Sequence, residues 1–338
     1  MADNRLENVI KAGIFGVVVG DALGVPVEFT YRDDLKENPV VDMREYGTHN
    51  QPKGTWSDDS SMMLATLDSI IKNGGLQYED IMKKFSDWRF NGDYTPHGKV
   101  FDIGITCSGA ISKYGRGTDP LSCGGCGEHD NGNGSLMRIM PVSLYSCLDE
   151  DFWHDAMFEE AVENSHNASR LTHGHPRSQI GCILYTAICH ELVYRDNKSV
   201  LEAVQQAIDG TLDFYSKVSD VYPWFNEAFF NEIKADAYGR LRNLDSFKKL
   251  PDSEIKSSGY VVHTLEAAVW CLLNSNSYSD CVLKAVNLGD DTDTVGAVAG
   301  GLAGLAYGYE DIPKKWIDII VSKEWIEKLC DDFAYIIS

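Results

Sequence analysis

Two short acidic clusters, far apart along the chain, hold its densest chemistry. Gly54-Thr55-Trp56-Ser57-Asp58-Asp59-Ser60 lies near the N-terminus, and Gly289-Asp290-Asp291-Thr292-Asp293-Thr294 near the C-terminus. Each packs carboxylates and hydroxyls at the predicted start of a helix. Oxygen-only donor sets suit hard divalent cations such as Mg²⁺ or Mn²⁺. Read singly, either cluster is more often a helix cap than a ligand set, because Ser, Thr and Asp are favoured there. Read together, their neighbouring acids repel unless something neutralises them. If folding joins the clusters, they make a two-metal site. The small-residue run Val295-Gly296-Ala297-Val298-Ala299-Gly300-Gly301 behind the second cluster lets backbones approach closely.

Three further segments add candidates. In the first, Gly16, Gly20 and Gly24 recur along a predicted helix, where each costs stability relative to alanine. Pro26 stops that helix and leaves Glu28 just beyond it, read alone as an active acid or an ordinary surface one. In the second, Asn131-Gly132-Asn133-Gly134-Ser135-Leu136-Met137-Arg138, glycine-rich backbone leads into a predicted helix, read alone either as a plain helix entry or as free N–H groups offered to a phosphate or carbonyl. No Gly-Lys-Ser/Thr follows, so it is not a Walker loop. In the third, Leu171-Thr172-His173-Gly174-His175-Pro176, two histidines precede a proline-started helix. With carboxylates dominating elsewhere, hydrogen bonding suits them better than soft-metal ligation. Cys123 and Cys126 form a lone C-x-x-C with no second pair at a zinc-site spacing, and read as bystander thiols in a glycine-rich loop.

The elements that must position these groups are helices. Apolar residues recur at three- and four-residue spacing over 6–23, 60–71, 78–90, 136–147, 152–165, 178–194, 199–215, 261–273, 282–288, 294–307 and 325–335. Strand-like alternation is scarce, and no repeat or Pro/Ser-rich linker divides the chain. Gly and polar residues gather in predicted loops at 33–54, 115–134 and 240–259. The expectation is an all-α fold, one compact domain over 1–338, with its irregular loops at the functional face.

Composition narrows the partners. The 338 residues carry 30 Lys+Arg against 51 Asp+Glu, a formal net charge of −21, which repels nucleic-acid backbones and anionic membranes. No uninterrupted apolar run reaches the roughly 18–20 residues of a membrane span. The opening residues lack the basic and apolar parts of a signal peptide. Apart from Cys123 and Cys126, the nine cysteines are scattered, several in predicted helices as at Cys182, Cys189 and Cys271, and read as buried thiols in a reducing compartment. These features lead us to expect a cytoplasmic monomer that binds neither nucleic acid nor membrane.

Taken in order, GDALGVPVEF, GTWSDDS, FDIG at Phe101–Gly104, NGNGSLMR, LTHGHP, SGYVVHTLEAA at Ser258–Ala267 and GDDTDTVGAVAGGLAG resemble the ADP-ribosylglycohydrolase family. The likeness runs from about Lys11 to Trp316. It implies an all-α orthogonal helical bundle around two Mg²⁺ or Mn²⁺ ions. Carried over, one metal would take Ser57, Asp58, Asp59 and a shared Asp293. The other would take Asp291, Asp293 and Thr294, with Glu28 in reach. Asn131, Gly132, Asn133, Gly134 and Ser135 would cradle the diphosphate and distal ribose, His173 would support the phosphates, and Tyr260 would pack at the sugar or adenine end. Asp102, in the FDIG motif, would lie on the acceptor side. Three departures stand out: Ser57 where threonine is usual, Asp290 where glycine is common, and Ile105 where arginine-specific bacterial members often carry asparagine.

The implied reaction is hydrolysis of the bond between C1″ of ADP-ribose and an acceptor such as an arginine or serine side chain. Its transition state is oxocarbenium-like, with Glu28 the expected acid/base and Asp102 a second candidate. The resemblance equally reaches crystallin-like relatives, so a non-catalytic ADP-ribose-binding or structural protein is the alternative. A two-metal phosphoesterase is a third reading.

Overall fold

The computed structural model describes residues 2–218, 222 and 224–338, with side chains from residue 5 onward. Among the described residues there are sixteen α-helices, six 3₁₀ turns and no strand; only three isolated bridge pairs occur. The all-helical expectation holds.

Two glycine-rich helices form the axis of the molecule. Ala2–Gly24 packs along Thr292–Tyr307 with almost no side-chain spacer. A Cβ placed on Gly20 would lie 2.1 Å from the Gly296 carbonyl oxygen, and one on Gly300 would lie 2.2 Å from that of Gly16. Neither clash can be relieved without separating the helices, which explains the glycine spacing read from the sequence. The same register continues to Gly24, whose hypothetical Cβ would lie 2.3 Å from the Asp293 Cα. The glycine contact thus delivers the second acidic cluster to the end of the first helix. Thr292 completes the junction by donating from Oγ1 to the Gly24 carbonyl at 2.9 Å.

Ala2–Gly24 overlaps a segment, 5–27, long and apolar enough by composition to cross a membrane, but its most apolar window is 89% buried inside the fold. Its apolarity is that of a core helix. Around the axis, Pro176–Val193 and Val261–Leu273 are almost wholly buried, while Val200–Lys217 shows the one-sided burial of an outer helix.

Several boundaries differ from the periodic reading. The segment predicted as 136–147 is helical only over Met140–Cys147. Pro141 occupies its first turn, a favoured place for proline, and residues 134–138 form turns instead. Helices Ile105–Tyr114 and Glu227–Ala235 escaped the sequence reading. Predicted loop 33–54 contains most of a short helix, Arg32–Glu37. Predicted 282–288 begins earlier, at Tyr278, because Ser277 caps it by accepting from Asp280 N at 3.2 Å.

Candidate metal centre

The first acidic cluster is built on a helix start. Ser57 is the N-cap of Asp58–Asn73, its Oγ accepting from Asp59 N at 3.3 Å while donating to Asp59 Oδ2 at 2.8 Å. Capping therefore does not remove these oxygens from the candidate ligand set. Asp21, from the last turns of the first helix, braces this start: its carboxylate accepts from Ser57 N at 3.0 Å, Ser60 N at 3.1 Å and Ser60 Oγ at 2.6 Å. The second cluster opens Thr292–Tyr307, with Asp291 as its N-cap. Asn133 donates to Asp291 Oδ2 at 2.8 Å and to Thr264 Oγ1 at 2.9 Å, tying the Gly-rich loop to this cluster. The two clusters meet where Thr294 Oγ1 approaches Asp59 Oδ2 at 3.4 Å.

Glu28 follows the 3₁₀ turn Val25–Val27 and turns inward, 5% exposed. Ligand atoms of Glu28, Asp291 and Asp293 lie within 4.8 Å of one another, as do those of Asp21, Asp59 and Asp293. A third such group joins Glu28, His49 and Asp102. The structure therefore brings Ser57, Asp58, Asp59, Asp291, Asp293, Thr294, Glu28 and Asp102 to one place.

Electrostatics shows why this place is unusual. Asp21, Glu28, Asp58, Asp59, Asp291 and Asp293 are all buried. Among the described residues none of them pairs with a lysine or arginine; Glu28 has a histidine, His49, as its one basic partner. Burial raises every one of their pKa values, Asp21 to about 6 and Glu28 to about 7. Asp58, Asp59 and Asp293 are pushed well above the ordinary carboxylate range by burial and then by the charges of the surrounding acids, Asp21, Glu28, Asp102 and Asp291 among them. Asp59 Oδ1 is buried with no hydrogen-bond partner. A cluster of buried carboxylates with an orphaned oxygen needs protons or a cation for balance. The all-oxygen donor set fits a hard divalent cation.

Asp21 and His49 are the neighbours that the motif reading did not assign. Asp21 left a signal: a lone acid in an otherwise apolar run of helix. His49 left none, because it sits in a loop without a motif. Its Nε2 hydrogen-bonds Glu28 Oε2, an interaction that raises its own pKa. Thr48 Oγ1 donates to the Glu28 carbonyl at 2.7 Å and so fixes the loop there. The His49 ring lies 5.2 Å from Phe101 and 6.3 Å from Phe29. With Ile105 almost fully exposed nearby in sequence to Asp102, these rings make an apolar edge beside an acidic floor.

The Gly-rich loop sits on the other side. Val261 N donates to the Asn131 carbonyl and Asn133 N to the Gly259 carbonyl, both at 3.0 Å, so Tyr260 lies beside Gly132. The Arg177 guanidinium stands 5.8 Å from the Tyr260 ring centre. The loop's side chains are engaged internally: Asn131 Nδ2 donates to the Glu128 carbonyl at 3.1 Å, and Ser135 is turned into the core, accepting from Ser169 Oγ at 3.0 Å. What this loop can offer a ligand is backbone above His173, not the Ser135 hydroxyl.

Asp290 settles into a different role from its neighbours. Its side chain is exposed, and its backbone clasps the loop after Glu28, donating from N to the Thr30 carbonyl at 2.9 Å and accepting from Phe29 N at 2.7 Å. Its φ of 63° lies in the left-handed region, which favours glycine. Asp290→Gly is expected to stabilise the protein by about 0.5–1 kcal/mol, as thermal unfolding would show, and to remove a charge that acts on Asp291.

The sequence profile of the ADP-ribosylglycohydrolase family matches residues 2–337. The chain is 30% identical over 333 residues to ADP-ribosylarginine hydrolase Tri1 of Serratia proteamaculans, spanning 96% of this chain and 78% of that protein. It is 29% identical over 325 residues to the ADP-ribosyl-[dinitrogen reductase] glycohydrolase of Rhodospirillum rubrum, spanning 91% and 90%. A solved structure described as an ADP-ribosylglycohydrolase-related protein complex superposes with a TM-score of 0.75 at 26% identity, covering 99% of this chain and all of that one.

Proposed function

The chain belongs to the ADP-ribosylglycohydrolase family, and on that premise we propose that it is a metal-dependent hydrolase that releases ADP-ribose from an arginine side chain. The observation that carries this reading is the buried carboxylate cluster without lysine or arginine partners, placed between a glycine-backbone loop and an acidic, aromatic-edged mouth. Ser57, Asp58, Asp59 and Asp293 would hold one divalent cation, and Asp291, Asp293 and Thr294 a second, either Mg²⁺ or Mn²⁺. When bound, such cations fix ribose hydroxyls and lower the pKa of a bound water.

Glu28 does the proton work. Water adds to C1″ as the bond from C1″ to the acceptor nitrogen breaks. Glu28 takes a proton from that water and passes one to the leaving nitrogen, so the hydroxyl stays on C1″. His49 holds the Glu28 carboxylate in place by its hydrogen bond. Asp102, with Phe29 and Phe101 beside it, suits a planar cation such as a guanidinium, which pairs with carboxylates and packs on aromatic faces. The 30% identity to an ADP-ribosylarginine hydrolase supports the same acceptor. The backbone of Asn131–Ser135, with His173 beneath, faces the diphosphate, and Tyr260 packs at the adenine end.

The test is release of free ADP-ribose from an ADP-ribosylarginine protein and from an ADP-ribosylserine peptide, each with Mg²⁺ or with EDTA. We expect metal-dependent release from the arginine substrate and at least about tenfold less from serine, the equivalent of one lost charge-assisted contact. Release from serine alone overturns the acceptor assignment. AMP as product identifies a phosphoesterase, and failure of both release and ADP-ribose binding identifies a structural protein.

A further inference from the structure

Arg138 takes no part in the chemistry above, yet it is fully buried. Its Nη2 donates to the Ala168 carbonyl at 3.0 Å and to Thr172 Oγ1 at 2.8 Å. Its Nε and Nη1 have no partner, and among the described residues no carboxylate forms an ion pair with it. The guanidinium carbon lies 4.7 Å from the Phe85 ring centre. An unpaired cation in a protein interior is costly, so a site that keeps one is expected to use it.

Thr172 carries the effect onward. Its Oγ1 stands 2.9 Å from His173 Nδ1. Arginine can only donate, so Oγ1 accepts from Arg138, and of the two groups that can take its single hydroxyl proton, His173 Nδ1 and the Cys107 sulfur, the imidazole nitrogen is the stronger acceptor. Nδ1 then accepts, and the ring proton resides on Nε2. Nε2 makes no hydrogen bond among the described residues and faces the Gly-rich loop: a Cβ on Gly132 would lie 3.3 Å from it and one on Gly134 3.5 Å. Burial, and then the Arg138 charge, push the His173 pKa down to about 3, so the ring is neutral.

We propose that Arg138 and Thr172 are positioning residues that lock His173 in its neutral Nε2–H tautomer, so that an N–H donor backed by an uncompensated positive charge meets an anionic diphosphate at the Gly132–Gly134 backbone. This rests on the reading of the loop as a diphosphate cradle and adds how the cradle obtains its polarity. Both glycines follow from it, because a side chain at either would crowd the imidazole.

The first measurement is ¹⁵N NMR of the histidine-labelled protein, which distinguishes the two ring nitrogens of His173 by their protonation. We expect a bare Nδ1 and a protonated Nε2. Thr172→Val, which removes the donor to Nδ1 at nearly constant shape, should lose the fixed tautomer and weaken ADP-ribose binding about tenfold by calorimetry. Thr172→Ser should restore both. Arg138→Met should weaken ADP-ribose binding while leaving thermal stability equal or higher, since it removes an unpaired buried charge; a merely structural arginine would lose stability instead. A proton on Nδ1 in the wild type, or unchanged ADP-ribose affinity in both Thr172→Val and Arg138→Met, would overturn the proposal. Wild-type protein that binds no ADP-ribose would sink the cradle reading itself, with the tautomer still decided by the spectrum.

Discussion

Glu28→Gln should bind ADP-ribose as the wild type does and release it from substrate about 10²–10⁴-fold more slowly, the range expected for loss of a general acid/base. Glutamine keeps the shape and can still hydrogen-bond His49, so the 46–51 loop that packs over the site keeps its anchor through Thr48 and the Glu28 carbonyl. What the substitution removes is a proton acceptor that burial has raised to about 7 and that lies beside Asp102 and Asp291. A neutral amide also relieves repulsion in the acidic cluster, so thermal stability of the metal-free variant should not fall. Single-turnover kinetics and calorimetry on the same sample separate the two effects. Wild-type turnover in Glu28→Gln would falsify the acid/base role, and equal losses of binding and turnover would make Glu28 a binding residue instead.

Asp293→Asn should have effects of opposite sign in the two metal states. Asp293 stands at the junction of both acidic clusters, 1% exposed, with no basic partner among the described residues. In EDTA, replacing it with asparagine removes a buried uncompensated charge and should stabilise the fold by on the order of 1 kcal/mol. With Mg²⁺ or Mn²⁺ the wild type should gain stability through binding to the folded state, and the variant should lose most of that gain together with at least about 10²-fold of activity. Thermal unfolding with and without metal reads both halves. A variant whose melting temperature still rises with metal as the wild type's does would remove Asp293 from the ligand set.

The same electrostatics sets a pH dependence for the metal-free protein. Burial places the folded-state pKa values of Asp21 and Glu28 at about 6 and about 7, above their ordinary values of 3.8 and 4.5. Between those limits the folded chain binds more protons than the unfolded chain, so stability falls as pH rises through that window. His49, whose pKa the Glu28 hydrogen bond raises, works in the same direction. The wild type in EDTA should therefore melt at a higher temperature near pH 5 than near pH 7.5. Divalent cations should largely erase the difference by taking the place of the protons.

Much of this was readable from local pattern. Helices such as Asp58–Asn73 and Val261–Leu273 appear in the sequence because side chains at three- and four-residue spacing must share a face, whatever the rest of the chain does. Oxygen donors at the starts of two helices likewise declare their chemistry through residue type alone. Shorter helices such as Ile105–Tyr114 were lost for lack of length, and the start of Met140–Cys147 was decided by Pro141 against the apolar period.

Which groups face one another was a tertiary matter. The two acidic clusters meet because Gly16, Gly20, Gly296 and Gly300 let two helix backbones touch at a single register. That contact could be suspected from the glycines, but not its partner or phase. The same long-range packing turns Ser135 inward and Asp290 outward, although both lie in motifs whose neighbours line the site. It also brings His49 to Glu28 and, among the described residues, leaves Arg138 without an acid. Periodicity and residue type act over a few residues, so most of the longer helices and the kind of chemistry were legible before any fold was known. Burial and pairing depend on what the rest of the chain places opposite each group, so which carboxylates are left without a countercharge emerges only when distant segments pack together.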